Sequence, residues 1–210
     1  MTVGTIGAGK MASTLAALWP TQGHAVMLGS RRPAEIRRTL GSLGPRVQVG
    51  TVADAVAFGN VILLATPWEA AETALRSAGS LKGKTLIDCT NAVANRGGDR
   101  TRDTRRSTSA AEEVAQWAEG ANVVKAFNTI YWENLKNPLF SHHPISCFYC
   151  GDDTEAKKTV AALIKDTGFE PVDAGPLTNA RYLEALAFLW MQLAFERGLG
   201  KDIALTMVKR

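Results

Sequence analysis

An α/β fold built on a doubly wound, mostly parallel sheet is predicted by three features of this 210-residue chain. Short apolar runs alternate with amphipathic segments over most of its length. One run, Asn60-Val-Ile-Leu-Leu-Ala-Thr66, is apolar without a break, as in a parallel strand covered on both faces. The first run ends in Gly7-Ala-Gly-Lys-Met-Ala12, a G-x-G-x-x-A turn between a strand and a helix.

Taken in order, Val3 to Ile6 forms the first strand and Ser13 to Leu18 continues the first helix. Between them, Gly7 permits a tight turn, Gly9 lets the backbone approach a pyrophosphate, and Ala12 is small enough for the helix to pack on its strand. A pyrophosphate there would sit on unpaired N–H groups at the positive end of the helix. Ala25 to Leu28 is a second strand, ending at Gly29-Ser-Arg-Arg-Pro33. An NAD-binding domain usually places a carboxylate here for the ribose 2′-hydroxyl. This chain places Ser30, Arg31 and Arg32, which supply the donors and positive charge that a 2′-phosphate needs. The expected cofactor is therefore NADP(H). The bland alternative is a solvated basic turn, with Arg31, Arg32, Arg37 and Arg38 facing water.

A short helix (Pro33 to Thr39), a third strand (Val47 to Val49) and another short helix (Thr51 to Phe58) precede the continuous apolar run. That run ends in Ala65-Thr66-Pro67-Trp68, at the strand end where open α/β sheets present ligands. Pro67 cannot extend the ladder and fixes the exit. Trp68 is placed either to wall a flat ring or to fill a core or interface. A helix over Glu69 to Ala78 leads to a fifth strand, Gly83 to Asn91, whose Asn91 amide can donate and accept at the ligand-side end. The arginine-rich stretch Arg96 to Arg106 reads as a mobile surface loop. Ser109-x-x-Glu112 is a capping box opening a helix through Trp117. A sixth strand (Ala121 to Phe127) then delivers Asn128-Thr-Ile-Tyr-Trp132 to its carboxyl end.

Ile145 to Gly151 is a further strand, Glu155 to Thr167 a helix with Asp152 and Asp153 as candidate caps, and Glu170 to Asp173 a strand-like segment. Thr178 to Gly198 reads as one long helix, apolar nearly all round, so both sides need cover from the monomer or from a second subunit. No linker interrupts the alternation. The expectation is a single Rossmann-type domain over residues 1–210, its sheet extended by C-terminal strands, with 178–210 a C-terminal helical segment.

Several classes of function are disfavoured. A net charge of +4 suits an anionic ligand, yet no RRM, helix-turn-helix or zinc-finger spacing accompanies it, so nucleic acid is not expected. Tyr182 to Phe195 is too short to span a bilayer and contains Glu184 and Gln192, and no secretory leader is evident, so a cytoplasmic chain without a membrane partner is expected. Cys147 and Cys150 lie three apart on a strand and point to opposite faces, which suits neither a redox pair nor a metal clamp. His24, His142 and His143 read as solvated loop residues. No catalytic acid, base or metal-ligand set is expected, because direct hydride transfer needs positioning and exclusion of water rather than a nucleophile.

Several of these segments together resemble the coenzyme F420-dependent NADP oxidoreductase family, which includes bacterial NADPH-dependent reductases and the cytosolic domain of the STEAP metalloreductases. The matching stretches are Ile6-Gly-Ala-Gly-Lys-Met-Ala12, Gly29-Ser-Arg-Arg-Pro33, Leu86-Ile-Asp-Cys-Thr-Asn91, Val124-Lys-Ala-Phe-Asn-Thr129, Gly151-Asp-Asp153, Val172-Asp-Ala-Gly-Pro-Leu177 and Arg181-Tyr-Leu-Glu184. The resemblance implies that Gly7, Ala8, Gly9, Lys10 and Met11 wrap the pyrophosphate and that Ser30, Arg31 and Arg32 hold the 2′-phosphate. It implies further that Ala65, Thr66, Pro67 and Asn91 border the ribose and nicotinamide, with Asn128, Ile130 and Trp132 facing the electron acceptor. It implies a flat acceptor, F420 or a flavin. Asn128 stands where F420-using members commonly have histidine, and Ala92 where relatives often have proline. The alternatives are reduction of a small imine or carbonyl, ferric-flavin reduction, and a non-catalytic NADP(H)-sensing module. A homodimer through the C-terminal helix is the expected assembly.

Overall fold

The computed structural model describes residues 1–41, 44–96, 99–102, 108–140 and 142–208. Strand β1 (Thr2–Ile6) passes through the glycine turn into helix α1 (Lys10–Leu18). The alternation continues through β2 (Ala25–Gly29), α2 (Pro33–Leu40), β3 (Val47–Gly50), α3 (Val52–Phe58), β4 (Val61–Leu64), α4 (Trp68–Arg76) and β5 (Thr85–Asp88). Next come a two-stranded ribbon, β6 (Val93–Arg96) and β7 (Asp99–Arg102), then α5 (Ala110–Trp117) and β8 (Asn122–Lys125). A small pair, β9 (Leu139–Phe140) and β10 (His143–Pro144), precedes β11 (Ser146–Gly151), α6 (Thr154–Lys165), β12 (Glu170–Asp173) and α7 (Ala180–Met191).

The main sheet has eight strands in the order β12-β11-β8-β5-β4-β1-β2-β3. Its strands are parallel except at the β11–β8 junction, which is antiparallel. The chain leaves β1 in one direction to β2 and β3 and returns on the other side at β4, so the topological switch lies between β1 and β4. The continuous apolar runs are explained by two cores. Val61, Leu63, Ile87, Val124 and Cys147 join a cluster with α1 and α6, whereas Ile62, Leu64, Leu86, Val123 and Cys150 join one with α4, α5 and the start of α7. Side chains alternate faces, and both faces are covered.

Local signals account for several element ends. Thr51 and Ser109 open α3 and α5 with reciprocal capping boxes to Asp54 and Glu112. Of the two candidate caps of α6, Asp153 does the work, accepting from the Ala156 N–H at 2.7 Å. Asp152 instead accepts from the Leu177 N–H at 2.9 Å and ties the strand end to the segment before α7. Two expectations change. The long C-terminal helix ends as an α-helix at Met191, widens into a π-helical turn over Gln192–Glu196, and is followed by Gly198 and Gly200 in the left-handed region. Part of the arginine-rich stretch is the β6–β7 ribbon rather than loop, while residues 97–98 and 103–106 of it lie outside the described residues.

Candidate functional site: two cavities at the carboxyl edge of the sheet

The first cavity, about 270 Å³, opens where β1, β2 and β4 end. Gly7, Ala8, Gly9, Ser30, Arg31, Ala65, Thr66 and Pro67 all line it, drawn from three separate stretches of sequence. The two glycines are needed for different reasons. Gly7 has φ +107°, and a Cβ there would stand 2.6 Å from the Ala65 carbonyl oxygen, so the fold itself excludes a side chain. A Cβ on Gly9 would meet nothing within 4 Å. The protein leaves that space open beside the N-terminus of α1, where no side chain caps the helix and no acidic residue occupies the first turn. Such a helix end attracts an anion. Thr66 adds a buried hydroxyl without a partner; a buried, unpaired hydroxyl costs about 1–3 kcal/mol, and it points to a bond made with a ligand.

The basic turn after β2 divides in two. Arg31 lines the cavity, whereas Arg32 is drawn off to Glu35 at 3.0 Å with its side chain 77% exposed. The Ser30 hydroxyl accepts from the Arg32 N–H at 3.0 Å, and Arg37 reaches back to the Val49 carbonyl at 2.5 Å. Lys10 and Met11 do not line the cavity: Met11 packs against the α1 core, and the Lys10 ammonium stands 4.7 Å from the centre of the Trp132 ring. Trp68 packs against Trp117, ring centres 5.2 Å apart and planes tilted by 30°, joining α4 to α5 instead of walling the cavity.

The second cavity, about 260 Å³, lies where β5 and β8 end. Asn91, Asn128 and Ile130 line it, as expected, together with Thr129 and Tyr131. Trp132 is not part of its wall. Sequence reasoning missed the opposite wall, which comes from α7 and the tail: Ala187, Trp190, Met191, Phe195 and Lys201. Tyr131 stacks on Trp190 (5.6 Å, 16° between planes), meets Phe195 edge-on, and lies under the Lys201 ammonium at 5.3 Å. The aromatic content of α7 was the available signal, but helical spacing alone does not separate a cavity wall from a core.

Asn128 is brought to this cavity by an unusual turn. Phe127, fully buried, has φ +61°, a left-handed conformation that costs a side-chain-bearing residue about 1–2 kcal/mol. The Asn128 amide nitrogen donates to the Asn91 side-chain oxygen and to the Leu183 carbonyl, both at 3.1 Å. Only a nitrogen can donate to a main-chain carbonyl, so the amide orientation is settled and its oxygen is the free acceptor. That oxygen and the Thr129 hydroxyl are both buried and unpartnered.

Other groups take no part in either cavity. Burial pushes the thiols of Cys89, Cys147 and Cys150 up to about 12, which keeps them protonated and unreactive, and all three are free. His24 is not solvated as expected: it is 6% exposed and bonds to Asp166 at 2.8 Å. His142 and His143 are exposed. Among the described residues, no three His, Cys, Asp or Glu side chains are grouped so as to hold a metal ion, and no helix is long and apolar enough to cross a membrane.

A doubly wound sheet with a glycine turn at its switch point defines a dinucleotide-binding protein of the Rossmann class. Comparison with known proteins finds its likenesses among NADP oxidoreductases and metalloreductases. Residues 2–92 match the family described as NADP oxidoreductase, coenzyme F420-dependent, and the resemblance expected from the sequence is thereby shown. A crystal structure from Arthrobacter sp. FB24, provisionally assigned as an F420-dependent NADP reductase, superposes with a TM-score of 0.91 at 27% identity, covering all of both chains. Metalloreductase STEAP3 of Rattus norvegicus is 34% identical over 185 residues, which is 88% of this chain and 36% of that protein. The chain thus spans 36% of the length of the curated relatives it matches. A reductive aminase from Aspergillus terreus, solved with NADPH and ethyl levulinate, shares the fold at a TM-score of 0.67 and 22% identity, over 94% of this chain and 62% of that one.

Proposed function

We propose that this chain is a single Rossmann-type domain that binds NADP(H) in the first cavity and passes hydride between it and a flat redox carrier in the second. The carrying observation is the pairing of the two cavities along one sheet edge, one suited to anions and the other walled by stacked aromatic rings. Bound NADPH supplies the hydride; the protein has to orient, desolvate and hold. Gly7, Ala8 and Gly9, with the free main-chain N–H groups of Lys10 and Met11 in the first turn of α1, hold the pyrophosphate, while the Lys10 and Met11 side chains point elsewhere. Arg31, with Ser30 and Arg32 beside it, holds the 2′-phosphate. Ala65, Thr66 and Pro67 border the ribose, and Asn91 borders the nicotinamide. Asn128 and Ile130 face the carrier, and Trp132, under Lys10, stands at its margin. The parallel Tyr131 and Trp190 rings suit a planar carrier, and Lys201 suits a negatively charged one such as F420 or a flavin nucleotide. Three buried, free thiols fit a reducing, cytoplasmic setting.

The deciding experiment offers the protein and NADPH a panel of F420, FMN, FAD, ferric chelates and quinones, and follows NADPH absorbance. At least one deazaflavin or flavin is expected to be reduced. Oxidation of NADPH with none of them, despite tight NADPH binding, would point to a non-catalytic sensing module. Gly9→Val is the control. Its Cβ meets no protein atom, so the fold should persist while NADPH binding is lost.

A further inference from the structure

Behind the Asn91–Asn128 pair lies a group of buried charges that the proposed transfer does not use. Lys125, the last residue of β8, is fully buried. Its ammonium donates to Asp88 Oδ2 at 2.9 Å and to the Thr90 carbonyl at 2.6 Å, and it pairs with Glu184 Oε1 at 3.1 Å, which uses all three of its N–H donors. Burial alone would pull the Lys125 pKa down, but Asp88 and Glu184 outweigh it and the net shift is upward, so the ammonium persists. Asp88 Oδ1 accepts from the Thr90 N–H at 2.9 Å and from its hydroxyl at 2.7 Å. Glu184, on the second turn of α7, also accepts from the first free N–H groups of α5, Ala110 at 3.0 Å and Ala111 at 3.2 Å.

Two short paths lead from these charges to the cavity. Lys125 and Asp88 clamp Thr90, the neighbour of Asn91. Glu184 clamps the turn of α7 whose Leu183 carbonyl accepts from Asn128. The two asparagines close the loop, Asn128 donating to the Asn91 side chain at 3.1 Å and Asn91 to the Asn128 carbonyl at 2.9 Å. Phe127, in its left-handed conformation, sits between the anchored Lys125 and Asn128. A buried ion pair is frequently no more stabilising than apolar side chains of the same volume, so stability is a weak reason for building one here. Directional bonds to fixed carbonyls are a stronger reason. We infer that Lys125 and Glu184 are positioning residues, which fix the Asn91–Asn128 amide pair at the edge of the second cavity. The inference rests on reading that cavity as the carrier's side.

The test uses the full chain with Glu184→Ala, the conservative Glu184→Gln, and Leu163→Ala as a control that loses core packing on α6 without touching the buried charges. The first readout is independent of activity: hydrogen exchange of the asparagine side-chain amides by NMR, with Asn128 assigned through Asn128→Ser. In the wild type the Asn128 amide protons should be protected, and Glu184→Ala should lose at least about tenfold of that protection. Glu184→Gln should recover part of it, and Leu163→Ala should leave it intact. The second readout is kinetic. With the carrier found by the panel, Glu184→Ala should lower kcat about ten- to hundredfold while KM for NADPH stays within about twofold. Unchanged amide protection in Glu184→Ala, or an equal loss in Leu163→Ala, would overturn the inference; so would loosened amides with an unchanged kcat. A wild-type chain that reduces nothing would sink the carrier reading instead, and amide protection would still decide the positioning.

Discussion

Gly9 and Gly7 stand two residues apart and answer to different constraints. One is held by the carbonyl of Ala65, the other by open space that a ligand can use. The same division separates Arg31 from Arg32. Side by side in the sequence, they look equivalent as 2′-phosphate ligands, but Glu35 takes the Arg32 guanidinium and leaves Arg31 on the cavity wall. Arg31→Ala should therefore weaken NADPH binding by about 10- to 100-fold and barely change NADH binding. Arg32→Ala should cost much less. Titration of both variants with both cofactors measures this, and equal losses for NADPH and NADH would remove Arg31 from the 2′-phosphate. The glycine turn and the arginines were legible because backbone conformation and charge are local properties. Which arginine lines the cavity was not, since it depends on the first turn of α2.

Between elements, the first turn of α5 and the first two turns of α7 are clipped together in two ways. Glu184 of α7 caps the N-terminus of α5, and Arg181 of α7 donates two bonds, at 2.9 and 2.7 Å, to Glu112 of α5. This gives the Arg181-Tyr-Leu-Glu184 segment a physical role, with one residue per contact, three apart on one helix face. The Arg181 guanidinium, aided by bonds from Ser109 and opposed by partial burial, holds the Glu112 carboxyl at about 2, well below its ordinary 4.5. Because the folded value is depressed, the pair contributes fully above about pH 4.5 and its contribution is lost as pH falls toward 2. Arg181→Met should lower Tm by about 2–4 °C near neutrality, and the gap from wild type should narrow through that acid window. Melting curves across pH would show it; a gap independent of pH would rule out the pair as its source. The capping box at Ser109 could be read directly, whereas its second employment, through Glu112, needed α7 beside it. The end of α7 was misjudged for a related reason. Apolar residues continue to Phe195, but the wide turn at Gln192–Glu196 and the left-handed glycines after it redirect the chain over the second cavity.

For the molecule as a whole, α7 faces two ways. Leu183, Ala187, Trp190 and Ala194 are buried within the chain, while Tyr182 (72% exposed) and Leu189 (49% exposed) share an outward stripe with the half-buried Leu186 and Leu193. Spacings of four and three keep Tyr182, Leu186 and Leu189 on one side of α7, as in a helix-to-helix seam, and Leu193 follows in the π-helical turn. We propose that it joins two copies of this chain as a homodimer. Leu189→Lys should shift the mass in solution from dimer to monomer by light scattering, without altering the NADPH affinity of each chain; a wild-type monomer would end that reading. The strands themselves and the glycine turn follow from patterns of two to ten neighbouring residues, because apolar period and glycine placement act on the backbone nearby, whereas the order of the strands was set by long-range pairing. The α7 wall of the second cavity and the charges behind Asn91 and Asn128 do not follow from such patterns. They join residues far apart in the sequence, such as Asp88 with Lys125, Lys125 with Glu184 and Glu184 with Ala110. Local sequence sets the backbone of the glycine turn, but partners for buried charge and walls for a cavity exist only once distant segments have packed.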